Sequence, residues 1–126
     1  MRIVHALECI DPASGGPVNS VSSLAVAQAG FGHDVILVTV RSADHDRWRK
    51  LLLSQLPARN RFSIVAIDQR HPWIVPGRKA RSLVRQHVED ADVVHSHGLW
   101  NPFNVMVART ALKTETGLVM SPRGIS

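Results

Sequence analysis

The chain has 126 residues, 44% of them hydrophobic and 20% charged, with a single cysteine and a formal net charge of +5. That length holds one ordinary domain rather than two, and folding at this size buries roughly two-thirds of the unfolded surface. The composition excludes a disordered chain, an intrachain disulfide framework and a Cys-rich metal site, and no run of about 18 apolar residues marks a membrane span. The N-terminus, MRIVHALECID, is interrupted by Glu8 and Asp11 too soon for a signal peptide. The lone Cys9 fits a reducing compartment, so a cytoplasmic location is expected.

In chain order, short apolar runs alternate with helical patterns. RIVHALE (Arg2 to Glu8) reads as a strand, followed by a Gly-rich turn and a helix over about Pro17 to Ala29. DVILVTV (Asp34 to Val40) is a nearly continuous β-branched run, the mark of a strand covered on both faces. DHDRWRKLLLSQL (Asp44 to Leu56) places Trp48, Leu51, Leu52 and Gln55/Leu56 at helical spacing. FSIVAID (Phe62 to Asp68) is a third strand, and a basic helix follows over about Lys79 to Glu89. ADVVHSHG (Ala91 to Gly98) is a fourth strand with a helix behind it over about Pro102 to Lys113, and GLVMSPRG (Gly117 to Gly124) is a fifth. The expectation is an α/β fold: a Rossmann-like, doubly wound parallel sheet with helices on both faces and strand one beside strand four. No helix follows SPRGIS, so the fifth unit reads as cut off and the chain as part of a longer one.

Three motifs carry the chemistry. In SGGP, Ser14 can cap a helix, Pro17 suits its first turn, and Gly15 and Gly16 permit backbone conformations that other residues avoid. A tight strand-to-helix connection explains this, and so does a phosphate site, since bare N–H groups at the positive end of a helix attract anions. The stretch is not G-x-G-x-x-G, and VTVRS supplies Arg41 where a ribose-binding acid would follow strand two, which argues against a dinucleotide. In HSHG, His95 and His97 share one face of a strand. A metal would need a third ligand, and no Cys or carboxylate pattern offers one, so none is expected. His95 reads as a hydrogen-bonded core histidine. His97, at the carboxyl end of the strand against Gly98, is placed to meet a ligand hydroxyl or phosphate. In SPRG, Arg123 leaves the carboxyl end of strand five and reads equally as a solvated or a ligand-facing arginine. All three motifs fall at the carboxyl ends of strands one, four and five, where open α/β sheets bind ligands.

Two basic clusters, RWRK (Arg47 to Lys50) and GRKARSLVRQH (Gly77 to His87), read either as solvated helix faces or as surfaces for anionic lipid headgroups or phosphorylated ligands. Nucleic acid is disfavoured: there is no tyrosine and no aromatic-interleaved basic strand for stacking.

Together, GGPVNSVSSLAVAQAGFGHDVILVTV, DVVHSHGLW and SPRG resemble the N-terminal domain of family 4 retaining glycosyltransferases of the GT-B fold, in order and spacing over the whole chain. The resemblance implies a hexose transferred with retention from a nucleotide-sugar donor to a lipid, polysaccharide or small-molecule acceptor, with no cofactor. It implies that Gly15 and Gly16 approach the donor pyrophosphate, that the catalytic residue His97 lies near the transferred sugar, and that Asn101, Arg123 and Ser20 line the acceptor side. The donor would be gripped by a C-terminal domain with paired glutamates that this chain lacks, so the 126 residues alone are expected to be inactive. Partners would then be that domain or an oligomer, and an anionic membrane surface. A Rossmann-like binding module that associates with a membrane or a partner protein, without catalysis, is the other reading.

Overall fold

A computed structural model describes residues 1–11, 16–54, 61–68, 76–98 and 101–121, with only the backbone for residues 16–19. Among the described residues, five strands alternate with four helices: β1 (Arg2–Ala6), α1 (Gly16–Gly30), β2 (Asp34–Val40), α2 (His45–Leu53), β3 (Phe62–Ile67), α3 (Arg78–Glu89), β4 (Val93–His97), α4 (Pro102–Lys113) and β5 (Gly117–Ser121). All strand pairs are parallel and the order is β3-β2-β1-β4-β5. The expected doubly wound sheet is therefore present. Its first strand lies between β2 and β4, so the direction of winding reverses beside it, which is where such sheets open a crevice at their carboxyl edge.

Alternation along each strand sorts side chains to the two faces. Val4, Ala6, Val38, Val40, Ile67 and Val94 pack against Val84 and Val88 of α3 and Phe103, Met106, Val107 and Ala111 of α4. The opposite face joins Leu7, Leu37 and Ile64 to Val21 of α1 and to Trp48, Leu52 and Leu53 of α2, with Val35 against Ala25 and Ala29. Small alanines let α1 approach the sheet closely. Leu51, expected among the packed residues of α2, is half exposed instead; Trp48 and Leu52, four residues apart, form the inward line. Gln55 and Leu56 lie outside the described residues.

At the amino edge the backbone N–H of Arg2 donates to Asp92 Oδ2 at 2.7 Å, tying β1 to the start of β4. Helix α3 is amphipathic: Val84 and Val88 are buried while Arg78, Lys79, Arg81 and Arg85 are exposed. No helix among the described residues is long and apolar enough to cross a membrane.

Phe103 is fully buried in the larger core. Phe103→Ala is expected to cost about 3–5 kcal/mol, measured as a lower urea midpoint; a loss under about 1 kcal/mol would show that α4 is not a core element.

Candidate functional site

The pairing of β1 with β4 sets His5 directly opposite His95, and His97 follows on the same face two residues later. The three rings form one group: His95 stacks on His97 with centroids 3.9 Å apart, and His5 lies 5.1 Å from His97 and 5.5 Å from His95. His5 Nδ1 and His97 Nε2 are 2.9 Å apart, a hydrogen bond between imidazoles. On its far side His5 Nε2 meets Gln28 Oε1 of α1 at 2.6 Å. His95 Nε2 meets Ser121 Oγ at the end of β5 at 2.7 Å.

Burial decides the charge state. His5 is fully buried and His97 is 1% exposed. Desolvation pushes the His5 pKa below its ordinary value, and the hydrogen bond to Gln28 only partly opposes that. His5 is therefore neutral at physiological pH. His45, at the start of α2, is shifted the same way, by burial first and then by the charge of Arg41.

The other face of the carboxyl edge is held by amides. Asn101 caps α4, its Oδ1 accepting from the Asn104 N–H at 2.9 Å while its Nδ2 donates to Asn104 Oδ1 at 2.8 Å. Asn104 Nδ2 donates in turn to Ser96 Oγ at 2.8 Å and to the Ala6 carbonyl at 3.3 Å, which links α4 to β4 and β1. Between the faces stands Gly98, at φ +134°, in a region that L side chains rarely adopt. A Cβ there would come 3.2 Å from Asn104 Oδ1. Its N–H donates to the Ser121 carbonyl at 2.9 Å. The HSHG turn thus needs its glycine both for backbone conformation and for space.

Several residues expected from sequence meet here and others do not. His97 ends β4, packed in the imidazole group rather than standing in an open crevice. His95, expected as a core histidine, is hydrogen-bonded and half-buried. Gly16 opens α1, Ser20 is exposed on that helix, and Asn101 bonds Asn104 through both its oxygen and its amide nitrogen. Gly15 and Arg123 lie outside the described residues. His5 and Gln28 were not legible as site residues: each fits its element's pattern, and only strand pairing brings them to HSHG.

His5 is also the third imidazole that the H-x-H pattern lacked. One ring nitrogen from each histidine lies within 4.8 Å of the others, which would admit a transition metal. His5 Nδ1 and His97 Nε2, however, are engaged with each other in a hydrogen bond.

A second polar region lies at the carboxyl ends of β1 and β2. The side-chain atoms Glu8 Oε2, Thr39 Oγ1, Ser42 Oγ, His45 Nδ1 and Trp48 Nε1 are buried with no hydrogen-bond partner among the described residues. Beside them a cavity of about 270 Å³ is lined by residues from Arg41 to Arg47. Arg41 bridges Asp68 at 2.8 Å and Asp46 at 3.7 Å, so the arginine that replaces a ribose-binding acid has carboxylate partners of its own.

The His5 shift gives a signed expectation. The unfolded chain takes up a proton near pH 6.5 while buried His5 does not, so stability falls as pH drops below that value, and His45 adds in the same direction. Urea midpoints should decline between about pH 7.5 and 5.5, and less steeply in His5→Gln. An equal decline in both proteins would rule out His5 as a source.

The model of the glycosyl transferase 4-like domain matches residues 15–126. No curated protein and no solved structure matches the chain. With a parallel α/β sheet and a family match over most of its length, the chain belongs to the glycosyl transferase 4-like domain family.

Proposed function

We propose that this chain is the acceptor-side domain of a retaining glycosyltransferase that moves a sugar from a nucleotide-sugar to a lipid, polysaccharide or small-molecule acceptor. The observation that carries the reading is convergence at one edge: β1 lies beside β4, α1 opens at Gly16 from the carboxyl side of β1, and His97 ends β4. In this reading Gly15 and Gly16 face the donor pyrophosphate with the N–H groups of the α1 start, and His97 underlies the transferred sugar. Arg123 and Ser20 face the acceptor, and Asn101 supports that side through the start of α4. The donor grip belongs to a second α/β domain beyond this one. The unpartnered polar atoms near Thr39 and Trp48 favour a hydroxyl-rich acceptor, since a carboxylate, hydroxyls, an imidazole and an indole N–H match alternating donors and acceptors.

The test is transfer by the protein carrying both domains, assayed against a panel of nucleotide-sugars. His97→Ala should lower kcat about 100-fold, the scale of losing one group that stabilises the transition state, with a smaller change in KM. Unchanged kcat would remove His97 from the reaction. Steady transfer by residues 1–126 alone would refute the division of labour.

A peripheral membrane role has its own support. A groove of about 240 Å³ between α3 and α4 combines Arg81, Arg109 and Lys113 with Val105 and Met106, a cationic rim over apolar side chains. The chain should co-sediment with phosphatidylglycerol vesicles, less so in high salt, and Arg81→Glu/Arg109→Glu should abolish it. Binding that ignores salt, or persists in the double variant, would contradict this.

A further inference from the structure

The contacts around His5 fix more than its position. Gln28 Oε1 can only accept, so His5 Nε2, at 2.6 Å, carries a proton. Burial keeps His5 neutral, so its Nδ1 is then a bare lone pair. His97 Nε2 stands 2.9 Å from that lone pair and must donate to it. A neutral imidazole has one N–H, and this one is spent on His5. We propose that Gln28 and His5 are positioning residues that lock His97 in its Nε2–H form, leaving Nδ1 as an acceptor.

The consequence is chemical. In the Nε2–H form His97 Nδ1 can only accept, so any group that pairs with this buried atom has to donate a hydrogen bond, as a hydroxyl does and a phosphate or carboxylate oxygen does not. That consequence rests on the reading of His97 as the sugar-facing residue; the lock itself does not. Burial favours the neutral ring, because His97 is 1% exposed and a charge there would be taken out of water.

The geometry offers one rival arrangement. If the Gln28 amide were reversed, its NH₂ would donate to His5 Nε2, His5 Nδ1 would carry the proton, and His97 Nε2 would accept. The two arrangements place the bridging proton on opposite nitrogens, which nitrogen NMR of the histidine-labelled chain distinguishes. The expected spectrum has a scalar coupling across the His5 Nδ1–His97 Nε2 hydrogen bond, with the one-bond N–H coupling on His97 Nε2 and an unprotonated His97 Nδ1. Gln28→Leu should remove the lock, so that His97 populates both tautomers. Gln28→Glu, which keeps an acceptor facing His5, should restore the single form. The bridging proton found on His5 Nδ1, or a His97 tautomer indifferent to Gln28→Leu in a chain whose cross-hydrogen-bond coupling persists, would overturn the proposal. Loss of that coupling in wild type would do the same. None of these outcomes touches the transferase reading, whose failure would appear only in the transfer assay.

Discussion

The pairing of β1 with β4 is the constraint on which the rest depends. The two strands lie far apart in the chain, yet their register sets Ile3 against Val93, His5 against His95 and Ala6 against Ser96. It puts the first strand inside the sheet, where both faces are covered, and it creates the reversal of winding at the carboxyl edge. It also brings His5 to His97 on one face and the Ala6 carbonyl to Asn104 on the other. A slip of β4 by one residue would send His95 and His97 toward the α3–α4 core, away from His5, and the Ser96 hydroxyl toward α1. Register and site are therefore the same fact.

The edge that results is braced from both sides of Gly98. On the α1 side, hydrogen bonds join Gln28 to His5, His5 to His97 and His95 to Ser121, and the His95–His97 ring stack links them across three strands and one helix. On the α4 side, Asn101, Asn104 and Ser96 bind the helix start to two strands. The Gly98 turn lies between these networks and its N–H reaches β5. A turn held in this manner presents its backbone at a fixed position. That is the requirement for a loop that must meet a ligand without reorganising.

Much of this was legible in the sequence, for physical reasons. Continuous β-branched runs such as DVILVTV announce strands covered on both faces, and alternation with helical spacing implies the parallel sheet. The glycine pair and Gly98 mark where the backbone departs from ordinary conformations. What stayed hidden was nonlocal. His5 sits in RIVHALE as one more inward residue, and nothing within ten positions says that its ring will meet another imidazole. Gln28 looks like a polar residue on a small-residue helix. Asn101 is the instructive case: an asparagine before proline, with a second asparagine three residues on, carries a helix-start signal. In the structure that capping role engages both its oxygen and its amide nitrogen with Asn104. The family resemblance implies an acceptor contact for it, and the structure adds a helix cap at the same residue.

Stability alone gives little reason for the imidazole group. Burying His5 costs desolvation, which is why its pKa is driven down, and each hydrogen bond within the group returns only about 1 kcal/mol net. Leucine at position 5 would extend the apolar surface that Leu7 and Leu37 already form on that face. With His97 and Gln28 replaced by apolar residues as well, a sheet so filled would be at least as stable, because removing all partners of a buried polar group in favour of apolar side chains is nearly neutral or better. What an apolar replacement could not do is hold a proton on a chosen nitrogen of a chosen ring. The polar group is expensive where it is buried, and its members meet one another through directional contacts that tie the proton of one ring to that of the next. The fold tolerates it at the one edge where the sheet changes its direction of winding, a placement that packing alone does not account for.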